Sequence, residues 1–187
     1  RLFLHSRGNN IKVNGRPTGR FVFLYNAFQA SGKFMALCEG DDYWTDPCKL
    51  QKQVDLIEKN PHCSMCVAKT QFRNIDDYSL TPEYDYKPEF HFIDIFYKQY
   101  FHTSSYLIPG SYLNQYLKAN KNLKFGDTSM RYILADMGPF VFLDEFVSVY
   151  RITGHGIWSS LNKYEQVKMH IQLHESFFKH FNRKYRQ

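Results

Sequence analysis

The stretch Glu39-Gly40-Asp41-Asp42-Tyr43-Trp44 decides how this chain reads. It follows the apolar run Phe34-Met35-Ala36-Leu37-Cys38, which has the length and content of a buried strand. A helix start comes next, with Asp46 placed to N-cap and Pro47 suited to the first helical position. Carboxylates at the carboxyl end of a buried strand stand where open α/β sheets bind ligands. Two oxygen donors there suit a hard divalent cation, Mg²⁺ or Mn²⁺, and such a cation attracts a diphosphate. Taken alone, an Asp-Asp pair is more often a solvated turn, so its neighbours must decide.

Aromatic residues make up 18% of the 187, which excludes a disordered chain and gives one domain enough apolar surface for a core. Twenty-four basic against eighteen acidic residues leave a charge of +6. That excess favours anionic partners such as nucleotide phosphates, nucleic acid or an acidic membrane surface, without choosing among them. No run of about 18 apolar residues occurs, so no segment reads as a membrane span. No signal-peptide pattern opens the chain; it begins at Arg1, and its natural start is expected upstream.

The cysteines are Cys38, Cys48, Cys63 and Cys66. Cys63-x-x-Cys66 beside His62 raises zinc, yet no second Cys pair or spaced His pair follows to complete a structural site. Cys63 to Ala68 reads better as a buried strand, in which a free thiol acts as a small hydrophobe. Cysteines without a disulfide framework suit a reducing cytoplasm.

Along the chain, Leu2-Phe3-Leu4 reads as a short strand and Ser6 to Gly19 as a polar loop. Helices are expected over 20–30, 47–59, 111–119 and 128–136, with strands at 34–38, 63–72, 103–108, 140–143 and 146–151. The helix at 47–59 places Leu50, Val54 and Ile57 on one face. The segment 74–89, with Pro82 and Pro88, reads as an excursion, and 90–101 as an aromatic amphipathic stretch. Residues 161–187 form a helical basic tail carrying Val167, Ile171, His174 and Phe178, attached to the domain of residues 1–160. Strands alternating with helices indicate α/β with a mixed sheet.

Three blocks in order carry a family resemblance. They are Ala30-Ser31-Gly32-Lys33-Phe34; then Ala36 through Pro47 with Lys49-Leu50-Gln51-Lys52-Gln53; then Phe125-Gly126-Asp127, Leu143-Asp144-Glu145, Val149-Tyr150-Arg151 and Gly156-Ile157-Trp158-Ser159. Together they resemble family 2 glycosyltransferases of the GT-A fold over residues 1 to 160, with the Asp-Asp-Tyr-Trp block the most specific part. The resemblance implies a Rossmann-like, mostly parallel mixed sheet flanked by helices. It also implies that the N-terminal strand holding the nucleotide base lies before Leu2.

The resemblance assigns roles residue by residue. Asp42 would hold the metal, Asp41 would contact the ribose or assist the metal, and Glu39 stands where the first acid of a D-x-D triplet often lies. Coordination would depress the pKa of these carboxylates, so the site would fail in acid. Asp127 matches the base that takes the acceptor's proton in inverting members; Asp at a helix start is also a common N-cap. Family members often carry a metal-binding His just after a Tyr-Arg pair. Here that position holds Thr153, and His155 lies two residues later between glycines that allow close backbone approach. Arg151 is a donor-phosphate candidate. Trp44 and Trp158 are candidates for the acceptor side or a closing loop, although a Trp after a strand is commonly core.

The implied activity is metal-dependent transfer of a sugar from a nucleotide-sugar donor to a hydroxyl of a glycan or lipid-linked acceptor. Inversion is expected, and bacterial surface polysaccharide synthesis is the implied setting. The place would be the cytoplasm, with the basic tail resting on the inner membrane face. Two rivals stay open at this point: a GT-A-like module that binds sugar or nucleotide without turnover, and a basic nucleic-acid-binding protein. The second finds no RNP, helix-turn-helix or finger motif in the chain. Donor base, sugar, acceptor and oligomeric state are not legible in the sequence.

Overall fold

The computed structural model describes residues 6–9, 11–13, 16–17, 20–74, 76, 78–79, 81–98, 100–119, 126–153 and 161–181. The expected strand at Leu2–Leu4 lies outside them. Within the expected polar loop, β1 (Lys12–Val13) and β2 (Arg16–Pro17) pair antiparallel. Helix α1 (Arg20–Gln29) leads to β3 (Phe34–Ala36), β4 (Tyr43–Trp44), α2 (Lys49–Lys59) and the long β5 (Met65–Asn74). Then come β6 (Glu89–Phe90), α3 (Phe92–Tyr97), a 3-10 turn at Thr103–Ser105, β7 (Leu107–Pro109) and α4 (Gly110–Ala119). The chain closes with α5 (Asp127–Met137), β8 (Phe140–Ile152) and α6 (Lys163–Phe181).

The main sheet runs β3-β7-β5-β8-β4, and β6 pairs the start of β8 on the edge that β4 uses further along. The expected α/β class and mixed sheet flanked by helices are observed. The strand directions differ from a mostly parallel sheet: among the described residues, β5–β8 is parallel and the other four pairings are antiparallel. The reason is that β4, β6 and β7 are two- or three-residue returns from loops and turns, whereas a parallel pair needs a long crossover. The two short strands expected at 140–143 and 146–151 are one strand. Its register against β5 slips between Ala68 and Thr70, so Asp144 and Glu145 fall in the irregularity.

The core follows the two-residue period of the strands. Met65 and Val67, Ile108, and Phe140 and Phe142 face one cluster with α4, α5 and α6. Cys66, Leu107 and Val141 face the other, with Ile57 of α2. Burial on both sides explains why 65–68 reads as an unbroken apolar run. α2 corrects the expected face: Lys49, Gln53 and Ile57 are buried, whereas Leu50 is 41% exposed. Its N-terminus also starts later, with Cys48 as N-cap, and Asp46 instead accepts the Cys48 N–H at 2.8 Å. On α6, Leu173 and Phe177 are buried, while Val167, Ile171 and Phe178 are exposed.

The aromatic stretch fills the first cluster. Phe90 is fully buried, 4.8 Å from the rings of Phe101 and Tyr100, and Tyr86 stacks on Phe142 at 4.7 Å. Truncation there leaves a cavity that rigid aromatic neighbours cannot fill. Phe90→Ala is expected to cost about 3–5 kcal/mol in denaturant unfolding.

Candidate metal centre

Glu39 to Asp42 make a tight turn just past β3, closed by the Asp42 N–H donating to the Glu39 carbonyl at 3.1 Å. The turn brings together one carboxylate oxygen each from Glu39, Asp41 and Asp42, all within 4.8 Å of one another.

Asp42 is the innermost of the three, with a side chain at 0% exposure. Its Oδ1 accepts the Arg151 N–H at 3.1 Å, and its Oδ2 has no hydrogen-bond partner. His102 Nδ1 stands 3.5 Å from that oxygen but supplies no charge. Burial pushes the His102 pKa down to about 4, its Nδ1 is engaged by the Ser104 hydroxyl at 2.9 Å, and its ring stacks on Tyr150 at 4.1 Å. A buried carboxylate oxygen without a partner is costly in the ionised state. Burial accordingly pushes the Asp42 pKa up to about 7, with Glu39 and Asp41 adding to the rise and the Arg151 N–H opposing it. The Glu39 pKa is raised for the same leading reason, then by the charge of Asp127, against the Thr103 hydroxyl that donates to it at 3.3 Å. This is the reverse of the depression expected with a cation in place. The expectation assumed a bound cation; the rise at Asp42 and Glu39 comes first from burial and then from neighbouring carboxylate charge.

Such a site fits a hard divalent cation: oxygen donors only, one of them orphaned and buried. Arg151 braces it, since its backbone N–H holds Asp42 and its Nε donates to the Asp41 carbonyl.

Trp44, a candidate from the sequence, is held by residues to which motif reading gave no role. Trp44 donates its indole N–H to the Ser104 carbonyl at 3.0 Å, and Lys49 Nζ sits 4.5 Å above its ring. One face of Trp44 is thus occupied, although the residue stays 37% exposed. Lys49, 1% exposed, donates to Gln53 Oε1 at 2.7 Å, and Gln53 donates to the Ser105 carbonyl at 2.7 Å. The hydroxyls of Thr70, Ser148 and Ser104 link up at 2.9 and 3.0 Å. These contacts fix the 3-10 turn that follows His102 and contains Thr103. The available signal was the i, i+4, i+8 spacing of Lys49, Gln53 and Ile57, obscured because two of the three are polar.

Burial pushes the Lys49 pKa from 10.5 down to about 8. The fold therefore favours the neutral amine and loses stability as pH drops from 10.5 to 8 and the ammonium forms. Lys49→Met lacks that titration. Its stability relative to the unmodified chain is expected to rise across that window and level off below about pH 8. Denaturant midpoints at several pH values would check it.

Asp127 is the first residue of α5 and is exposed; Gly126 occupies the N-cap position. The carboxylate is therefore not used as the N-cap, and its charge reaches Glu39. His155 and Trp158 lie outside the described residues.

No family model matches the chain. Among curated proteins, the uncharacterized proteins Rv1520 of Mycobacterium tuberculosis and Mb1547 of Mycobacterium bovis are each 31% identical over 135 residues. Each match spans 70% of this chain but only 38% of the relative. Among solved structures, Staphylococcus aureus TarS is 14% identical over 88% of this chain and 33% of its own, with a TM-score of 0.47. TarS 1-349 in complex with UDP is 17% identical over 84% of this chain and 50% of its own, with a TM-score of 0.45. Likeness at this level carries nothing about reaction or ligand.

Proposed function

We propose that this chain is the metal-binding part of a GT-A-type glycosyltransferase that moves a sugar from a nucleotide donor to an acceptor hydroxyl with inversion. The observation that carries the reading is the buried, unpartnered Asp42 Oδ2, flanked by Asp41 and Glu39 where the chain leaves the sheet. Asp42, Asp41 and Glu39 would hold Mg²⁺ or Mn²⁺, with His155 as a further ligand by resemblance. When bound, the cation offsets the charge that develops on a departing nucleoside diphosphate.

The remaining work falls to side chains of the chain itself. Arg151 keeps the acid turn closed by holding Asp41 and Asp42, which leaves its outer guanidinium nitrogens for donor phosphate. Neutral His102 packs beside Asp42 without pairing its charge, so the carboxylate stays available. Asp127, with its carboxylate not used as a cap, accepts the proton of the acceptor hydroxyl as that oxygen attacks the sugar carbon. The uncovered part of Trp44, with Trp158, lines the acceptor side.

The setting of surface polysaccharide assembly at the inner membrane face rests on the sequence resemblance. No helix among the described residues is long and apolar enough to cross a membrane. The test is nucleoside-diphosphate release from a panel of nucleotide sugars, with Mn²⁺ and with a chelator. Release that needs the metal supports the reading, and release indifferent to the chelator counts against it.

A further inference from the structure

A second group of metal-ligating side chains lies at the opposite end of the β5–β8 ladder. His62 Nε2 is 2.9 Å from Glu89 Oε1, Cys63 Sγ is 3.9 Å from the same oxygen, and one donor atom from each of the three lies within 4.8 Å of the others. His62 and Cys63 precede β5, and Glu89 pairs with Val141 near the start of β8. The acid turn is tied to Arg151, near the far end of β8.

We propose that His62, Cys63 and Glu89 form a Zn²⁺ site independent of the acid turn. Imidazole nitrogen, thiolate sulfur and carboxylate oxygen are the donors zinc takes, and its bond lengths place neighbouring donors roughly 3.2–3.6 Å apart in a tetrahedron. The observed 2.9 and 3.9 Å straddle that spacing, and the His62 and Cys63 donors lie within 4.8 Å of each other. On binding, the Cys63 thiol releases its proton to solvent. Thiolate and carboxylate then balance the two charges of the ion, and His62 binds as the neutral ring. His62 is 57% exposed in its side chain, so water can take the fourth vertex.

The backbone holding these ligands is pinned from several sides. Cys63 N–H donates to the Asn60 carbonyl at 3.0 Å, and Ser64 N–H donates to the Pro139 carbonyl at 2.9 Å. The Ser64 hydroxyl donates to the Gly138 carbonyl at 2.8 Å, and the Tyr112 hydroxyl donates to the His62 carbonyl at 3.3 Å. A Cβ on Gly138 would stand 2.6 Å from the His62 carbonyl oxygen, so only glycine lets the turn into β8 pack this closely. A bound ion would clip the α2–β5 connection to β6. The Cys63-x-x-Cys66 spacing pointed to the wrong partner. Cys66 Sγ lies against Gln53 at 3.7 Å, and the third ligand comes 26 residues after Cys63.

The experiment titrates the metal-free chain with Co²⁺ and with Zn²⁺, reading the thiolate-to-cobalt absorption band and the heat of zinc binding. Asp42→Asn serves as the background that disables the acid turn. The expected result is a thiolate band in both the unmodified and Asp42→Asn chains, displaced by Zn²⁺ and lost in Cys63→Ser. His62→Ala alters an exposed side chain and should fold, yet weaken zinc by about tenfold or more. Absence of a thiolate band, its survival in Cys63→Ser, unchanged zinc affinity in His62→Ala, or its loss in Asp42→Asn would overturn the proposal.

Discussion

Asp127→Asn is expected to cut turnover about 10²- to 10⁴-fold while leaving metal and donor binding intact. The asymmetry follows from placement. Asp127 is exposed at the first position of α5 with Gly126 as the N-cap, so its removal takes no cap from the helix. Its charge acts on the site only through space, raising the Glu39 pKa. Substitution should therefore ease Glu39 ionisation while leaving the three acid-turn ligands in place. A fall in kcat with unchanged donor affinity is the signature of a lost proton acceptor. Unchanged kcat would remove Asp127 from the mechanism.

Asp42→Asn is expected to abolish metal binding at the acid turn and to stabilise the metal-free fold above pH 7. The Asp42 pKa is raised from 3.8 to about 7, so the folded chain holds this proton more tightly than the unfolded chain does. That contribution is fully present below pH 3.8 and is lost as pH rises through 7. The neutral amide loses nothing over the same range. The metal-free variant should exceed the metal-free unmodified chain by on the order of 2–4 kcal/mol at pH 8. Added Mn²⁺ should reverse the order, because only the unmodified chain gains from it. Thermal or denaturant unfolding at pH 4 and pH 8, with and without Mn²⁺, reads all four states. Equal metal-free stabilities at both pH values would mean that the Asp42 carboxylate is not strained.

The acid turn was legible because local chemistry announces it: an apolar strand, carboxylates at its exit, then a helix start. The helices expected at 20–30 and 47–59 are found at 20–29 and 49–59, so local signals placed both but set the start of the second two residues early. What the sequence could not carry was pairing. Strand direction depends on how far the chain travels before it returns, and two-residue strands such as β4 and β6 leave no periodic trace. Lys49 and Gln53 fall outside the apolar face that Leu50, Val54 and Ile57 suggested; their burial depends on Trp44 and the Ser105 carbonyl, brought in from other segments. His102 sits among Thr and Ser in a turn without a motif, and its place beside Asp42 follows from tertiary packing. The roles of Asp41, Asp42 and Asp127 came from family resemblance, with the geometry supplying the strain at Asp42 and the uncapped position of Asp127.

The central claim is that the Asp42 carboxylate binds a cation that in turn binds a nucleoside diphosphate. The most direct measurement is calorimetric titration of UDP, GDP, CDP and dTDP into the unmodified and Asp42→Asn chains, with and without Mn²⁺. Binding of one nucleotide only when Mn²⁺ is present, and lost in Asp42→Asn, is the predicted result and names the donor base. Nucleotide binding that ignores Mn²⁺, or that Asp42→Asn preserves, would contradict it.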